Sequence, residues 1–326
     1  MKLSSSSTFL WLAILVSSFA NAGAANLFPV VENDRWGYVD KSGTRVINPQ
    51  FERAEPFTSN LAAVRIGRWG YVDTSGKIVI NPQFDHATPF SEGLAAVEFS
   101  GRWGYINTDG KYAINPQFDD AMPFVEERAA IKLKRRFAYI DKNGAMVVNP
   151  QFESAGQFSG GLAAVELGNR LGYIDTTGKI VITPQFERAE TFSDGLAAFR
   201  LNRRWGFIDK SGKIVITPQF DDVGSFAKGL APARVGSRWG FIDQTGHLVV
   251  SPQFENATEF KEELARVKLG GRWGYVDKNG KFVINPQFDE ASSFGNGLAQ
   301  VKVGRKIGRK IGYVDQSGKY IWKPTN

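Results

Sequence analysis

The sequence predicts an all-β protein, a tandem array of nine short units with a period of 34 residues. The first observation is a Trp-Gly pair, or a close variant of it, that recurs along the chain. The Trp places are Trp36, Trp69, Trp103, Phe137, Leu171, Trp205, Trp239, Trp273 and Ile311. Successive places are 33 residues apart once, then 34 six times, then 38, where the letters GRKI are written twice. A fixed period of this length is typical of stacked repeats.

The second observation is that each unit holds three short segments rich in β-branched and aromatic residues. In the second unit these are residues 61–66, 69–73 and 77–81, here named strands A, B and C, and their composition is typical of β-strands. The third observation is the link between B and C, with Asp or Asn at its first place and Gly at its fourth, as in Asp73 and Gly76. A type I turn followed by a left-handed glycine is a favoured hairpin link. Each unit is therefore predicted to be a three-stranded antiparallel meander.

A proline follows strand C in eight units, and a connector then leads to the next strand A. The prolines are Pro49, Pro82, Pro116, Pro150, Pro184, Pro218, Pro252 and Pro286. Proline cannot donate to a sheet ladder, so it suits a strand end. The apolar connector residues Phe84, Ala87, Phe90 and Leu94 are three or four residues apart, which predicts a turn of helix or a wound loop packed on the sheet.

Strand C carries a continuous apolar run, Ile78-Val79-Ile80, which indicates a strand covered on both faces. Each small sheet is therefore expected to lie between two neighbours. One unit alone buries too few apolar side chains to fold, so the units should stack. Gly70, which has no Cβ, is expected to let a neighbouring sheet approach closely.

The units start near residues 28, 61, 94, 128, 162, 196, 230, 264 and 298 and fill residues 23–326 as a single array. Two architectures fit, an open curved superhelix and a propeller-like stack. Propeller blades usually have four strands and about 40–50 residues, in about four to eight copies. Each end of this array also holds a complete A–B–C set, with no blade shared to close a ring. The open curved array is therefore favoured.

The first 22 residues are predicted to be a secretory signal peptide. Lys2 precedes the apolar run 9–16, and Ala20-Asn21-Ala22 is the small-x-small pattern of a cleavage site. The run is shorter than the ~20 residues needed to span a bilayer; an uncleaved anchor is the alternative. The mature protein is expected in the periplasm or at the cell surface, or outside the cell. The chain has no cysteine, which excludes disulfides and thiolate chemistry.

The recurring motifs WG[YF][IV]D, DxxGK, [NTS]PQF and the F…F…GLAAV run keep a fixed register over essentially the whole mature chain. In this the chain resembles the WG-repeat proteins, which are known mainly from bacteria. The resemblance implies an all-β repeat architecture, often on exported proteins, and no shared enzymatic activity.

The repeated Trp side chains are interpreted as core residues rather than sugar-stacking platforms, because Phe137, Leu171 and Ile311 take their place and two of these lack an aromatic face. The repeated turn Asp is interpreted as a turn cap rather than a calcium ligand, because a calcium site needs six to eight oxygens.

Catalysis is not expected from this sequence. The two histidines, His86 and His247, stand at different places in their units, and the acid pairs Asp119-Asp120 and Asp221-Asp222 lie beside basic turns. No nucleophile–base pairing or phosphate loop is evident, so the sequence predicts neither an enzyme nor a metal or cofactor site. A hydrolase with its site formed across units is one alternative, and it would need convergent acids near those pairs.

A charge pattern carries the functional expectation. Arg or Lys precedes every Trp place, and an acid follows the PQF phenylalanine in eight units. One interpretation is a ladder of local ion pairs along one rim. The other is a basic rim, whose candidate binding residues are Lys132, Lys134, Arg135, Arg136, Arg203, Arg204, Arg305, Lys306 and Arg309. Such a rim would engage envelope proteins or anionic polysaccharides, whereas nucleic acid is not expected because the turns lack stacking aromatics. A structural spacer or adhesin without polymer affinity is the other alternative.

Overall fold

The computed structural model describes residues 26–304 and 310–325, which form nine antiparallel sheets and no helix. The predicted signal peptide, 1–22, lies outside these residues. Within the described part of the chain, no helix is long and apolar enough to cross a bilayer.

Every sheet contains the predicted strands A, B and C in that order, and each unit starts within a residue of its expected place. Strand A is β1 (Phe28–Glu32), β5 (Leu61–Ile66), β9 (Leu94–Phe99), β13 (Ala129–Leu133), β17 (Leu162–Leu167), β21 (Leu196–Leu201), β25 (Leu230–Val235), β29 (Ala265–Leu269) and β33 (Leu298–Val303). Strand B is β2 (Arg35–Val39), β6 (Arg68–Asp73), β10 (Arg102–Asn107), β14 (Arg136–Ile140), β18 (Arg170–Asp175), β22 (Arg204–Asp209), β26 (Arg238–Asp243), β30 (Arg272–Val276) and β34 (Lys310–Asp315). Strand C is β3 (Arg45–Phe51), β7 (Ile78–Phe84), β11 (Tyr112–Phe118), β15 (Met146–Phe152), β19 (Ile180–Phe186), β23 (Ile214–Phe220), β27 (Leu248–Phe254), β31 (Phe282–Phe288) and β35 (Tyr320–Thr325).

Eight sheets also contain a fourth strand, of two residues, which pairs with strand A. These strands are β4 (Arg53–Ala54), β8 (His86–Ala87), β12 (Asp120–Ala121), β16 (Ser154–Ala155), β20 (Arg188–Ala189), β24 (Asp222–Val223), β28 (Asn256–Ala257) and β32 (Glu290–Ala291). After β8 the chain stays beside β9, because Thr88 N donates to Ala96 O (3.0 Å) and Ser91 exchanges two backbone hydrogen bonds with Leu94. The turn of helix, one of the two predicted forms of the connector, does not occur among the described residues. The connector instead contains a fourth strand, so the three-stranded meander becomes a four-stranded blade.

The fourth strand lies on the inside of the ring. Nearly equivalent residues of successive blades reach each other there: Ser91 Oγ donates to Phe124 O (2.6 Å), and Ser193 Oγ donates to Phe226 O (2.7 Å). Equivalent points of rotated repeats come this close only near the common axis. Strand C, at the other edge of each sheet, is therefore the outer strand.

The first and ninth blades pack against each other and close the ring. The rings of Phe28 and Tyr313 lie 5.6 Å apart, and the Tyr313 hydroxyl donates to Pro29 O (2.8 Å). Phe28, Val30 and Tyr313 share one buried cluster with Leu298. The architecture is a nine-bladed β-propeller, so the preference for an open superhelix is wrong. Closure does not need a shared blade. At another interface the ring of Phe90, which follows the fourth strand β8, packs against Tyr71, and Phe28 supplies the corresponding ring against Tyr313.

The core lies between adjacent blades, which confirms that the units stack. At one interface, Tyr71 and Ile80 of the second blade contact Phe90, Val97 and Ile106 of the third. The Tyr or Phe two places after each Trp place is almost fully buried. Where it is a tyrosine, its hydroxyl donates to a backbone carbonyl of the next blade; the Tyr71 hydroxyl, for example, donates to Thr88 O at 2.7 Å. The same side chain therefore supplies packing and an inter-blade hydrogen bond.

Strand C differs from its prediction in coverage and in length. Ile78 and Val79 are 41% and 46% exposed, whereas Ile80 is buried, because C is the outer edge of the blade. The strand continues past Pro82 to Phe84, which lies opposite Trp69.

The glycine of the Trp-Gly pair makes room for its own strand C. A Cβ on Gly70 would lie 2.5 Å from Ile80 O and 2.7 Å from Pro82 N. The outer strand therefore crosses directly over Gly70, rather than a neighbouring sheet approaching it as the sequence suggested.

Replacing Glu55 with glutamine should stabilise the protein at neutral pH but not in acid. Glu55 directly follows the fourth strand, β4, of the second blade. Burial raises the pKa of its carboxyl group. A raised folded-state pKa adds stability that is fully present below the unfolded pKa of about 4.3 and is lost as the pH rises through the folded pKa. We expect Glu55→Gln to raise the melting temperature at pH 7 and to leave it unchanged near pH 4. An equal gain at both pH values would contradict this assignment.

Candidate binding face

The A–B turns and the starts of the B strands lie at one end of the ring, here called the basic face. The end of strand C returns to this face, since Trp69 at the start of β6 lies opposite Phe84 at the end of β7. The B–C turns lie at the other end, here called the opposite face. Every candidate residue within the described part of the chain belongs to the basic face.

Within the described residues, four of the eight ion pairs of the ladder expected from the sequence are present on this face. Arg68 and Asp85 lie 3.4 Å apart, and Arg102 and Asp119 also form an ion pair. Two candidate residues belong to the same ladder: Arg136 lies 2.6 Å from Glu153 and Arg204 lies 2.5 Å from Asp221.

Each ladder acid also holds the next blade. Asp85 accepts a hydrogen bond from Ser100 N (2.8 Å), and Asp119 accepts one from Lys134 N (2.7 Å). The carboxylate thus joins the arginine of its own unit to the A–B turn of the following blade. The hydrogen bond from Arg136 is the largest cause of the lowered pKa of Glu153. Arg136 and Arg204 are therefore engaged by carboxylates that fasten neighbouring blades together.

Lys134, Arg135 and Arg203 are different, because they form the tips of A–B turns and are exposed. Within residues 26–304 and 310–325 none of them makes an ion pair. Lys134 and Arg135 have φ values of +48° and +71°, and Arg203 has +64°. Two-residue turns with positive φ at both places favour Asn-Gly. These long cations therefore occupy places where glycine or asparagine would have a lower conformational energy.

The remaining candidates are less exposed or lie outside the described residues. Lys132 Nζ lies 5.2 Å from the centre of the Phe137 ring, in a cation–π contact, and Lys132 is opposite Asp120 in the sheet. Arg305, Lys306 and Arg309 fall in 305–309, which the structure does not describe.

An open groove of about 490 Å³ runs from the A–B turn of the third blade over its outer strand. Phe99 and Tyr112, each about two-fifths exposed, line it together with Arg102. Phe99 ends strand A and Tyr112 begins strand C, so these exposed rings belong to strands that flank the turns. The signal in the sequence was a departure from the repeat, since the place of Phe99 is aliphatic in the units around it, as at Ile66 and Leu133.

The repeated Trp and Asp residues have the structural roles predicted for them. Trp69 is partly buried and packs against the inter-blade core. Asp73 Oδ1 accepts hydrogen bonds from Ser75 N (2.9 Å), Ser75 Oγ (2.6 Å) and Lys77 N (3.0 Å). The Ser75 hydroxyl is the largest cause of the lowered pKa of Asp73. The carboxylate oxygen that calcium would need is thus used by the turn.

The histidines and paired acids are distributed around the ring. The His86 ring stacks on Trp103, with centroids 6.3 Å apart, while His247 Nδ1 lies 2.7 Å from the Thr245 hydroxyl. Asp222 lies 3.6 Å from Arg234. In the described ranges, no three His, Asp or Glu side chains lie close enough to hold a metal ion. The groove beside Phe99 is not lined by Asp119, Asp120, Asp221 or Asp222.

Eight consecutive stretches of the chain match the family model described as "WG containing repeat". They are residues 36–68, 69–103, 103–135, 137–170, 172–204, 205–239, 239–273 and 273–306. The chain belongs to the WG-repeat family. None of the curated proteins compared with this WG-repeat protein matches it.

Solved structures that match this chain come from different systems. A crystal structure of the eukaryotic initiation factor is 11% identical, covers 93% of this chain and 96% of its own, and has a TM-score of 0.67. PorZ, a surface component of the type-IX secretion system of Porphyromonas gingivalis, is 10% identical over 90% of this chain and 45% of its own, with a TM-score of 0.36. At these identities the likeness to the initiation factor concerns the fold alone.

Proposed function

We propose that this WG-repeat propeller is an exported, non-catalytic binding protein that holds an anionic polysaccharide of the cell envelope against its basic face. A ring of repeats is a binding and scaffold architecture, because it presents the same turns many times on one surface. The observation that carries the choice of ligand is the Lys134–Arg135 turn of the fourth blade.

This turn keeps two cations at a cost in backbone energy. A non-glycine residue in the left-handed region costs on the order of 1 kcal/mol, and both Lys134 and Arg135 are there. Their side chains are exposed, and no carboxylate of the described residues neutralises them. Positive φ recurs in turns around the ring, for example at Glu126 and Glu127, so it is the pair of charges that distinguishes this turn. Exposed cations without partners attract anions.

The aromatic groove lies next to the Lys134–Arg135 turn, because the carboxylate of Asp119 contacts residues of both. Asp119 accepts from Lys134 N and also pairs with Arg102, which lines the groove beside Phe99 and Tyr112. Exposed aromatic rings offer flat apolar faces for sugar rings, and the cations next to them suit carboxylate or sulfate groups. An acidic polysaccharide has both features along one strand.

Removing the two turn charges should weaken polysaccharide binding by about 5- to 30-fold, if each exposed cation contributes about 0.5–1 kcal/mol to the complex. The measurement compares the chain 23–326 with its K134Q/R135Q variant for binding of a polyuronate at low and moderate salt. The variant should also show a shallower dependence of affinity on salt, because fewer counterions are released.

The matched control removes two lysines from the opposite face. Lys179 and Lys213 are exposed and follow the glycines of two B–C turns. K179Q/K213Q makes the same change in net charge, so it should leave binding within about twofold if the basic face is the site. Equal losses of affinity in both variants would mean that net charge determines binding and that the basic face is not the site. No binding by any form would favour the structural spacer.

The second candidate partner is an acidic envelope protein on the same face, favoured by the spread of Arg203 and Lys134 over separate blades. Cross-linking in an envelope fraction distinguishes it, since a protein partner should survive polysaccharide digestion. The proposed export rests on residues 1–22 and is tested by locating the processed chain in cell fractions.

A further inference from the structure

The eighth and ninth blades break the repeat at one buried place in strand A. That place holds alanine in the second to sixth blades and proline in the first and seventh, but Arg266 in the eighth and Gln300 in the ninth. A guanidinium and an amide thus lie in adjacent blades at a place that is otherwise small and apolar.

Arg266 has two close contacts but no ion pair within the described residues. Its guanidinium carbon lies 4.3 Å from the centre of the Trp273 ring, and Nη1 donates to Ala291 O of the next blade. Nε is buried and has no hydrogen-bond partner within the described residues, and Arg266 makes no ion pair there. Burial of this charge lowers the pKa of Arg266. A buried N–H without an acceptor costs about 1–3 kcal/mol, so the place is suited to receive an acceptor.

A cavity of about 180 Å³ lies beside this guanidinium, between the two blades. Its lining residues are Arg266, Glu290, Ala291, Ser292, Gln300 and Lys302. Gln300 Nε2 lies 3.3 Å from the Tyr313 hydroxyl, and Gln300 N donates to Ser292 Oγ (2.9 Å). These contacts fix the amide and the hydroxyl at the wall of the cavity.

The charges around the cavity select a monoanion. Lys302 Nζ pairs with Glu290 at 2.9 Å. Glu259 acts on Arg266 electrostatically but does not line the cavity, so Arg266 is the unpaired charge of the lining. The planar guanidinium matches the two oxygens of a carboxylate, while Glu290 opposes a dianion such as sulfate. We propose that the cavity between the eighth and ninth blades is a carboxylate-binding site, with Arg266 as its anchor and Gln300 and Ser292 as its polar walls.

The carboxylate can come from a free small acid or from an acidic sugar. The test measures the melting temperature and the heat of binding of chain 23–326 with sodium acetate, sodium glucuronate and the neutral methyl ester of glucuronic acid, at constant ionic strength. We expect saturable stabilisation by a carboxylate and none by the ester. Binding of acetate as tightly as glucuronate identifies a site for free small acids, whereas binding of glucuronate alone identifies a sugar site.

The repeat itself supplies the variant, because alanine already occupies the place of Arg266 in five blades. Arg266→Ala should fold and should weaken carboxylate binding at least tenfold. Arg234→Ala is the matched control, since Arg234 also lies over a tryptophan, Trp239, at 5.9 Å but does not line the cavity. K134Q/R135Q should bind these monomers as the unaltered chain does, which separates this site from the basic face. Absence of saturable binding, or binding that survives Arg266→Ala, would overturn the proposal.

Discussion

Replacing Gly43 with alanine should lower the free energy of unfolding by about 2–5 kcal/mol, more than the same change at any other B–C turn. Gly43 is the last residue of the first of these turns and has a φ of +84°. A Cβ there would lie 2.3 Å from Ile321 O in the outer strand of the ninth blade. The left-handed backbone costs an alanine about 1–2 kcal/mol, and relief of the clash adds about 1–3 kcal/mol. Because the opposing atom belongs to the backbone, relief requires the closing interface to open.

Two glycines separate the clash from the backbone strain. Gly212 occupies the same turn place in the sixth blade, with a φ of +85°, but its Cβ would meet flexible Ile182 side-chain atoms at 3.3 Å. Gly195 has a φ of +83° and no atom within 4 Å. Denaturant titration should therefore rank the losses Gly43→Ala, then Gly212→Ala, then Gly195→Ala. Equal losses at all three places would mean that the first and ninth blades do not press together in solution, and the ring would be open.

The strands were predictable where the signal is local. Strands A and B and the B–C hairpin follow from β-branched runs and from Asp73 and Gly76, whose roles depend only on their own turn. The inner strand was missed because residues 86–91 include Pro89 and have no alternating pattern. Its pairing depends on β9, eight to twelve residues later, and on the next blade. Ring closure depends on Phe28 and Tyr313, which are 285 places apart in the sequence, and no local pattern reports such a contact.

The candidate site residues were also predictable only where they recur with the repeat. The Arg and acid ladder was visible because its members recur with the repeat, and the structure pairs Arg136 with Glu153 and Arg204 with Asp221. Additional cations such as Lys134 were identified because they are not members of the ladder. Arg266 was missed because a repeat is read for what its units share, whereas this residue is a departure from the shared pattern. In a repeat protein, a place where one unit breaks an apolar consensus with a charge therefore has to be examined separately from the pattern that the units share.

The segment that follows the fourth strand should contribute strongly to the stability of the blade. Phe226→Ala should lower the free energy of unfolding by about 3–5 kcal/mol. Phe226 belongs to the segment that follows β24, is fully buried, and lies 4.6 Å from the Phe207 ring of the preceding blade in an edge-to-face contact. Its truncation leaves a cavity between two blades that the rigid sheets cannot easily fill. A connector lying on the surface would lose far less.

Phe57 provides the control at the same repeat place. It lies 4.7 Å from Tyr38 but is only partly buried, so Phe57→Ala should cost less than Phe226→Ala, since less apolar area is lost. Calorimetry and urea titration of the two variants measure the difference. A smaller loss for Phe226→Ala than for Phe57→Ala would contradict the burial of the inner strand. The expected order would show that each 34-residue unit reaches the stability of a propeller blade by placing its connector phenylalanine in the neighbouring blade.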